Sequence, residues 1–71
     1  MIKFTSVYVG KYESPAITKK DVKKLNELGL RGYIFGMGDY YSIKVASYPN
    51  LDAALKLEEQ LKLRGFEAFH Q

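Results

Sequence analysis

Cysteine is absent from these 71 residues, and histidine occurs once. Without thiols there is no disulfide framework, no Cys-based zinc site and no thiolate nucleophile. His70 stands one residue from the end with no ligand set around it, and no serine sits in a nucleophile motif, so no metal, cofactor or catalytic residue is expected. Long apolar runs are missing as well. Nothing approaches the roughly 18 residues that a membrane span needs. Met1-Ile2-Lys3-Phe4 lacks the apolar stretch of a signal peptide, so the sequence reads as a soluble chain without an export signal of its own. Nor is charge one-sided. A net +3 is a mild preference for anionic partners, short of the strongly basic footprint of a dedicated nucleic-acid binder.

What the sequence does have is apolar and aromatic side chain: 46% is hydrophobic, with 6 Tyr and 4 Phe, which fits one domain near the smallest size at which a core sustains folding unaided. A deep catalytic cavity is not expected at that size. The sequence also repeats itself. Displaced by 36 positions, Ser6/Ser42, Val9/Val45, Tyr12/Tyr48, Lys20/Lys56, Leu25/Leu61 and Gly29/Gly65 coincide, and Phe4/Tyr40, Val7/Ile43, Leu30/Phe66 and Tyr33/Phe69 are close exchanges. One domain over 1–71, built from two units at about 4–36 and 40–71, is expected, because a unit repeated only twice must share its core with its copy.

Each half spells strand, helix, strand. Phe4 to Tyr12 alternates, with Val7 and Val9 on one face and Phe4, Ser6 and Tyr8 on the other. Ser14 reads as an N-cap with Pro15 at the first helical position, and Val22, Leu25 and Leu28 follow at helical spacing until Gly29. Gly32 to Met37 reads as a short strand with Tyr33, Phe35 and Met37 opposite Ile34, and Gly36, Gly38 and Asp39 as a hairpin turn. In the second half, Tyr41, Ile43 and Val45 point inward and Tyr40, Ser42 and Lys44 outward. Asn50 caps a helix with Ala54, Leu57 and Leu61 as its buried stripe, and Phe66 to His70 closes as an edge strand.

The order βαββαβ predicts an α+β, ferredoxin-like domain: a four-stranded antiparallel sheet with both helices on one face, built from two βαβ-type repeats. The other face is left open and carries an aromatic-rich set, a composition that marks an interaction surface. Tyr8, Tyr33 and Tyr40 are the expected platforms, Ser42 and Lys44 the polar anchors, and Phe4, Phe35 and Phe69 the apolar floor.

The run Tyr41-Ser42-Ile43-Lys44-Val45-Ala46-Ser47-Tyr48, with Asn50, Ala53-Ala54, Leu57, Leu61 and Gly65-Phe66-Glu67-Ala68-Phe69, resembles the sporulation-related repeat (SPOR) domain; Val7-Tyr8-Val9-Gly10-Lys11-Tyr12 through Leu25 and Gly29-Leu30 echoes it in the first half. The resemblance implies a non-catalytic module that binds peptidoglycan, specifically glycan strands stripped of stem peptides, through the open face. It adds Lys11 and Ser47 to the candidate site. The family pattern often has Gln where Tyr8 stands and Ser where Lys11 stands, while Ser47 keeps the serine in the second copy. It further implies a fused or partner amidase, or a division or sporulation protein, and a place at the cell wall, envelope or outside the cell.

Other readings compete. A four-stranded sheet with outward aromatics is also how RNA-recognition modules stack bases, although Tyr8-Val9-Gly10-Lys11-Tyr12 is a faint match to their motifs. The open face would serve equally as a homodimer interface in a structural or phage assembly protein. Lys19, Lys20, Lys23 and Lys24 read as a solvated helix face, and Gly36-Met37-Gly38 as a turn rather than a phosphate loop. Asp21, Glu27, Asp52, Glu58 and Glu59 fall on helices, leaving no carboxylate pair on the open face to cleave a glycan.

Overall fold

The computed structural model describes residues 3–71; Met1 and Ile2, on which the absence of a leader was partly read, lie outside the described residues. The chain runs β1 (Thr5–Tyr12), a 3-10 turn (Pro15–Thr18), α1 (Lys19–Glu27), β2 (Tyr33–Gly36), β3 (Tyr41–Tyr48), α2 (Leu51–Leu63) and β4 (Ala68–His70). The four strands form one sheet in the order β2-β3-β1-β4, antiparallel throughout. This is the ferredoxin-like βαββαβ arrangement.

Both helices end in the same way. Gly29 and Gly65 take φ of +84° and +90°, a region that L side chains avoid. The next residue then reaches back: Leu30 N–H donates to the Leu25 carbonyl at 2.9 Å and Phe66 N–H to the Leu61 carbonyl at 3.0 Å, the bonding of a Schellman cap. The starts differ. Asn50 accepts from the Ala53 N–H at 2.8 Å, the capping expected of it. Ser14 holds the extended backbone of an N-cap, but its side chain caps nothing, and the first turn is 3-10 rather than α. That turn is tied by Thr18, whose buried hydroxyl donates to the Pro15 carbonyl at 2.6 Å.

Val7, Val9, Ile43 and Val45 from the central strands meet Leu25 of α1 and Ala54 and Leu61 of α2 in one core, with Ala68 of β4 beneath. Fully burying a side chain of the Val, Leu or Ile class contributes on the order of 1.5–3 kcal/mol. Tyr12, Val22, Leu30, Tyr48, Leu57 and Phe66 pack around its rim.

The β1–β3 pair is not regular. Val7 faces Ala46 but Tyr8 faces Lys44, so Val45 is an extra residue on β3; Val9 faces Ile43 but Tyr12 faces Tyr41, so Gly10 and Lys11 together face Ser42. These are bulges, which reset the alternation of the strand that carries the extra residue. Gly10 has φ of +75°, and a Cβ there would collide with the Tyr12 ring. Its N–H donates to the Glu67 carbonyl at 2.6 Å and its carbonyl accepts from the Ser42 hydroxyl at 2.5 Å.

Glu58 is buried on α2 by a contact that spacing along the chain does not announce. His70 Nδ1 lies 2.6 Å from its Oε1, and Lys62 Nζ donates to its Oε2 at 3.2 Å. His70, which the sequence marks as inert, thus ties β4 to α2. The His70 hydrogen bond holds the Glu58 carboxyl below the ordinary value of 4.5; burial opposes the shift and Lys62 adds to it.

Two outcomes follow. Gly10→Ala destabilises the domain by about 1–3 kcal/mol, from the left-handed backbone and the clash together, seen as a lower urea midpoint. Because the folded pKa of Glu58 lies below the unfolded one, its stabilisation is complete above pH 4.5 and is lost as pH falls through the folded value. Urea unfolding across a pH series should therefore show native stability falling more steeply below pH 4.5 than that of Glu58→Gln; parallel curves would refute the assignment.

Candidate functional site

Opposite the helices, cross-strand register places Tyr33 beside Lys44, Lys44 beside Tyr8 and Tyr8 beside Phe69, a single row crossing all four strands. Neighbouring strands lie about 4.8 Å apart, so the row spans about 14 Å. Phe35 stands beside Ser42 in the next row on one side, and Ser6 beside Ser47 on the other.

The rings make a connected layer. Tyr8 stacks on Phe69 with centroids 5.5 Å apart and meets Phe35 at 6.1 Å in a tilted arrangement. Two ammonium groups lie on these rings. Lys44 Nζ sits 5.3 Å from the Phe35 centroid, while Lys11 Nζ sits 5.5 Å from the Tyr40 centroid and 5.7 Å from that of Phe69. Tyr33 and Phe35 remain 57% and 45% exposed on the edge strand, which leaves ring faces free for a ligand.

The structure sorts the candidate residues. Tyr33, Phe35, Lys44 and Phe69 lie on the open face in contact with one another or in adjoining register, and Tyr40 joins them through Lys11. Lys11 and Ser47 reach the face because of the bulges: in an unbroken strand Lys11 would share the inward phase of Val7 and Val9, and Ser47 that of Ile43 and Val45. Ser47 Oγ lies 2.7 Å from Ser6 Oγ, a partner on the same face. Phe4 is exposed ahead of β1, and among the described residues no ring contact ties it to the layer.

Two residues depart from expectation. Ser42, read as a polar anchor, is fully buried, and its hydroxyl is engaged by the Gly10 carbonyl that the bulge leaves without a ladder partner. Tyr8, read as a stacking platform, is 6% exposed with Phe35 and Phe69 packed against it, so it supports the layer and has little ring surface of its own to offer.

Sequence reasoning also missed a groove. β2 pairs with β3 only from Lys44 back to Tyr41, so residues 46–48 pair with β1 alone. A groove of about 530 Å³ opens there, lined by Tyr33, Ile34 and Phe35 of β2 and by Lys44, Val45, Ala46 and Ser47 of β3. The signal lay in length, since an eight-residue alternation faces a four-residue strand. A second cavity of about 290 Å³ lies between β1, α1 and the chain before β4, where Tyr12 donates to Asp21. There the Tyr12 hydroxyl is pushed well above the ordinary tyrosine range, first by burial and then by that bond, so it stays a neutral donor. Among the described residues no group of three or more His, Asp and Glu is placed to hold a metal ion, and no helix is long and apolar enough to cross a membrane.

A four-stranded sheet with helices behind and a cation-bearing aromatic layer in front defines a binding module. The SPOR domain model matches residues 3–71, and the chain belongs to the SPOR domain family. Among solved structures, the peptidoglycan-binding domain of the Bacillus subtilis cell wall lytic enzyme CwlC superposes with a TM-score of 0.79 at 18% identity, covering 96% of this chain and 86% of that one. At that identity the likeness establishes the fold. A search of curated proteins gives no match.

Ser42→Ala discriminates the two roles of that hydroxyl. It removes the partner of a buried carbonyl and should lower stability by about 1–3 kcal/mol in urea unfolding. Glycan affinity per folded molecule should stay the same; a selective loss of binding without destabilisation would return Ser42 to the binding surface.

Proposed function

We propose that this chain is a non-catalytic module that binds the glycan strands of peptidoglycan across the open face of its sheet, with preference for strands freed of stem peptides. The row Tyr33–Lys44–Tyr8–Phe69, covering every strand of the sheet, carries this reading. Such a row suits an elongated ligand whose rings present apolar C–H faces and whose edges carry hydrogen-bonding groups. Family membership supports it, as does the fold shared with a domain whose described ligand is peptidoglycan. The contact surface is Tyr33, Phe35, Tyr40, Lys44, Lys11, Ser47 and Phe69, with Tyr8 as its buried support. In this reading the module works at the cell wall and delivers a wall hydrolase such as an amidase, or a division or sporulation protein, fused to it or bound by it.

The test is co-sedimentation with purified sacculi, untreated and amidase-treated, comparing the native chain with Tyr33→Ala/Phe35→Ala. Both rings are exposed on an edge strand, so the variant should keep its fold, checked by circular dichroism. Binding should rise on amidase-treated sacculi and fall about tenfold or more in the variant, the loss of two ring contacts. Absence of binding to either preparation would overturn the reading and turn attention to dimerisation, measured as mass in solution, or to RNA.

A further inference from the structure

Ring stacking accounts for the tyrosines and phenylalanines of the open face but not for its charge. The strands β1 to β4 contain two lysines, Lys11 and Lys44, and none of the 8 acidic residues of the chain. Those lie on the helices (Asp21, Glu27, Asp52, Glu58, Glu59) or in connections (Glu13, Asp39, Glu67). The ion pairs among the described residues are Lys62–Glu58 and His70–Glu58, so neither strand lysine is neutralised by a carboxylate. Instead each ammonium lies on an aromatic ring, Lys44 over Phe35 and Lys11 between Tyr40 and Phe69. A cation held this way is positioned by the ring beneath it and keeps N–H donors free above.

Position adds to charge. Lys44 leans toward β2 and lines the groove with Tyr33 and Ser47; Lys11 leans toward β4. Since Tyr8 meets Phe35 on one side and Phe69 on the other, the two ammonium groups flank the ring stack. Neutral sugar hydroxyls would make ordinary hydrogen bonds there, whereas a carboxylate would make charge-assisted ones of about twice the strength.

We infer that Lys11 and Lys44 make the open face selective for glycans bearing free carboxylates, one reading the Phe69 side of the ring stack and the other the Phe35 side. The inference rests on the peptidoglycan reading and specifies how that site chooses. In a muramyl sugar the lactyl carboxyl is either a free anion or an amide to the peptide, so that position on the sugar ring is charged in one form and uncharged in the other. The lysines distinguish them by charge, independently of the bulk that a peptide adds.

Charge and bulk separate experimentally. The native chain is titrated calorimetrically with soluble amidase-released glycan strands, with the same strands capped as methylamides, and with neutral chito-oligosaccharides. The free-acid strands should bind about tenfold more tightly than the methylamides, a preference that shrinks as salt is raised. Lys11→Met and Lys44→Met should each reduce that preference by up to about fivefold, the range of an exposed ion pair, while Lys→Arg at either position retains it. Each variant is checked by thermal melting. Equal affinity for free-acid and methylamide strands would overturn the inference and leave the peptidoglycan reading in place; so would methionine variants that weaken both forms equally. No binding of the native chain to any of the three would overturn both.

Discussion

Strands β1 and β3 pair along their whole length, yet strict alternation would have spoiled the surface they share. Val7 and Val9 must enter the core, and in an unbroken strand the same phase would send Lys11 inward; on β3, Ile43 and Val45 would do the same to Ser47. A lysine ammonium cannot lie unpaired in an apolar core of this size. The bulge at Gly10 and Lys11 and the bulge at Val45 resolve the conflict, each adding one residue to one strand. Beyond them Tyr12 and Tyr48 return to the rim of the core while Lys11 and Ser47 face outward. These positions are related by the 36-residue displacement of the sequence, Lys11 to Ser47 and Tyr12 to Tyr48.

A bulge leaves backbone groups unpaired, and the structure shows where one of them goes. The Gly10 carbonyl takes the Ser42 hydroxyl, and the Gly10 N–H bonds to the chain entering β4. Ser42 is thus a structural residue set in the middle of the open face. Tyr8 illustrates the same economy. A domain with two helices covers one side of its sheet only, so apolar surface on the other side is hidden by rings packing on rings: Tyr8 is buried against Phe35 and Phe69. The outer layer completes the fold while Tyr33 and Phe35 stay open to solvent.

Local rules made much of this visible in advance. The helices follow from Leu25 and Leu61 at helical spacing, from Asn50 at a start and from Gly29 and Gly65 at the ends, because each acts within one or two turns. The two faces of β1 follow from Val7 and Val9 against Tyr8. What stayed hidden depends on partners across the sheet. Nothing within Tyr41–Tyr48 marks Val45 as a bulge, and Ser42 looks like any outward serine until Gly10 is set opposite it. Lys11 and Ser47 entered through family likeness, not through alternation, which argues against both. Glu58 reads as helix surface by composition; only the return of β4 brings His70 within hydrogen-bonding reach.

Charge is partitioned by the same architecture. The helices must cover the core with one side and meet water with the other, and they carry most of the acidic residues, along with Lys19, Lys20, Lys23 and Lys24. The strands, with one side in the core and the other in the aromatic layer, have room for few charges. The two lysines they hold are those the rings can support, each with its stem along the apolar surface and its ammonium above a ring. An acidic residue among those rings would face the negative π-faces without such support, and would offset the positive field of the two lysines. The absence of acid from every strand therefore leaves the ring-held cations of the open face unopposed by any strand carboxylate.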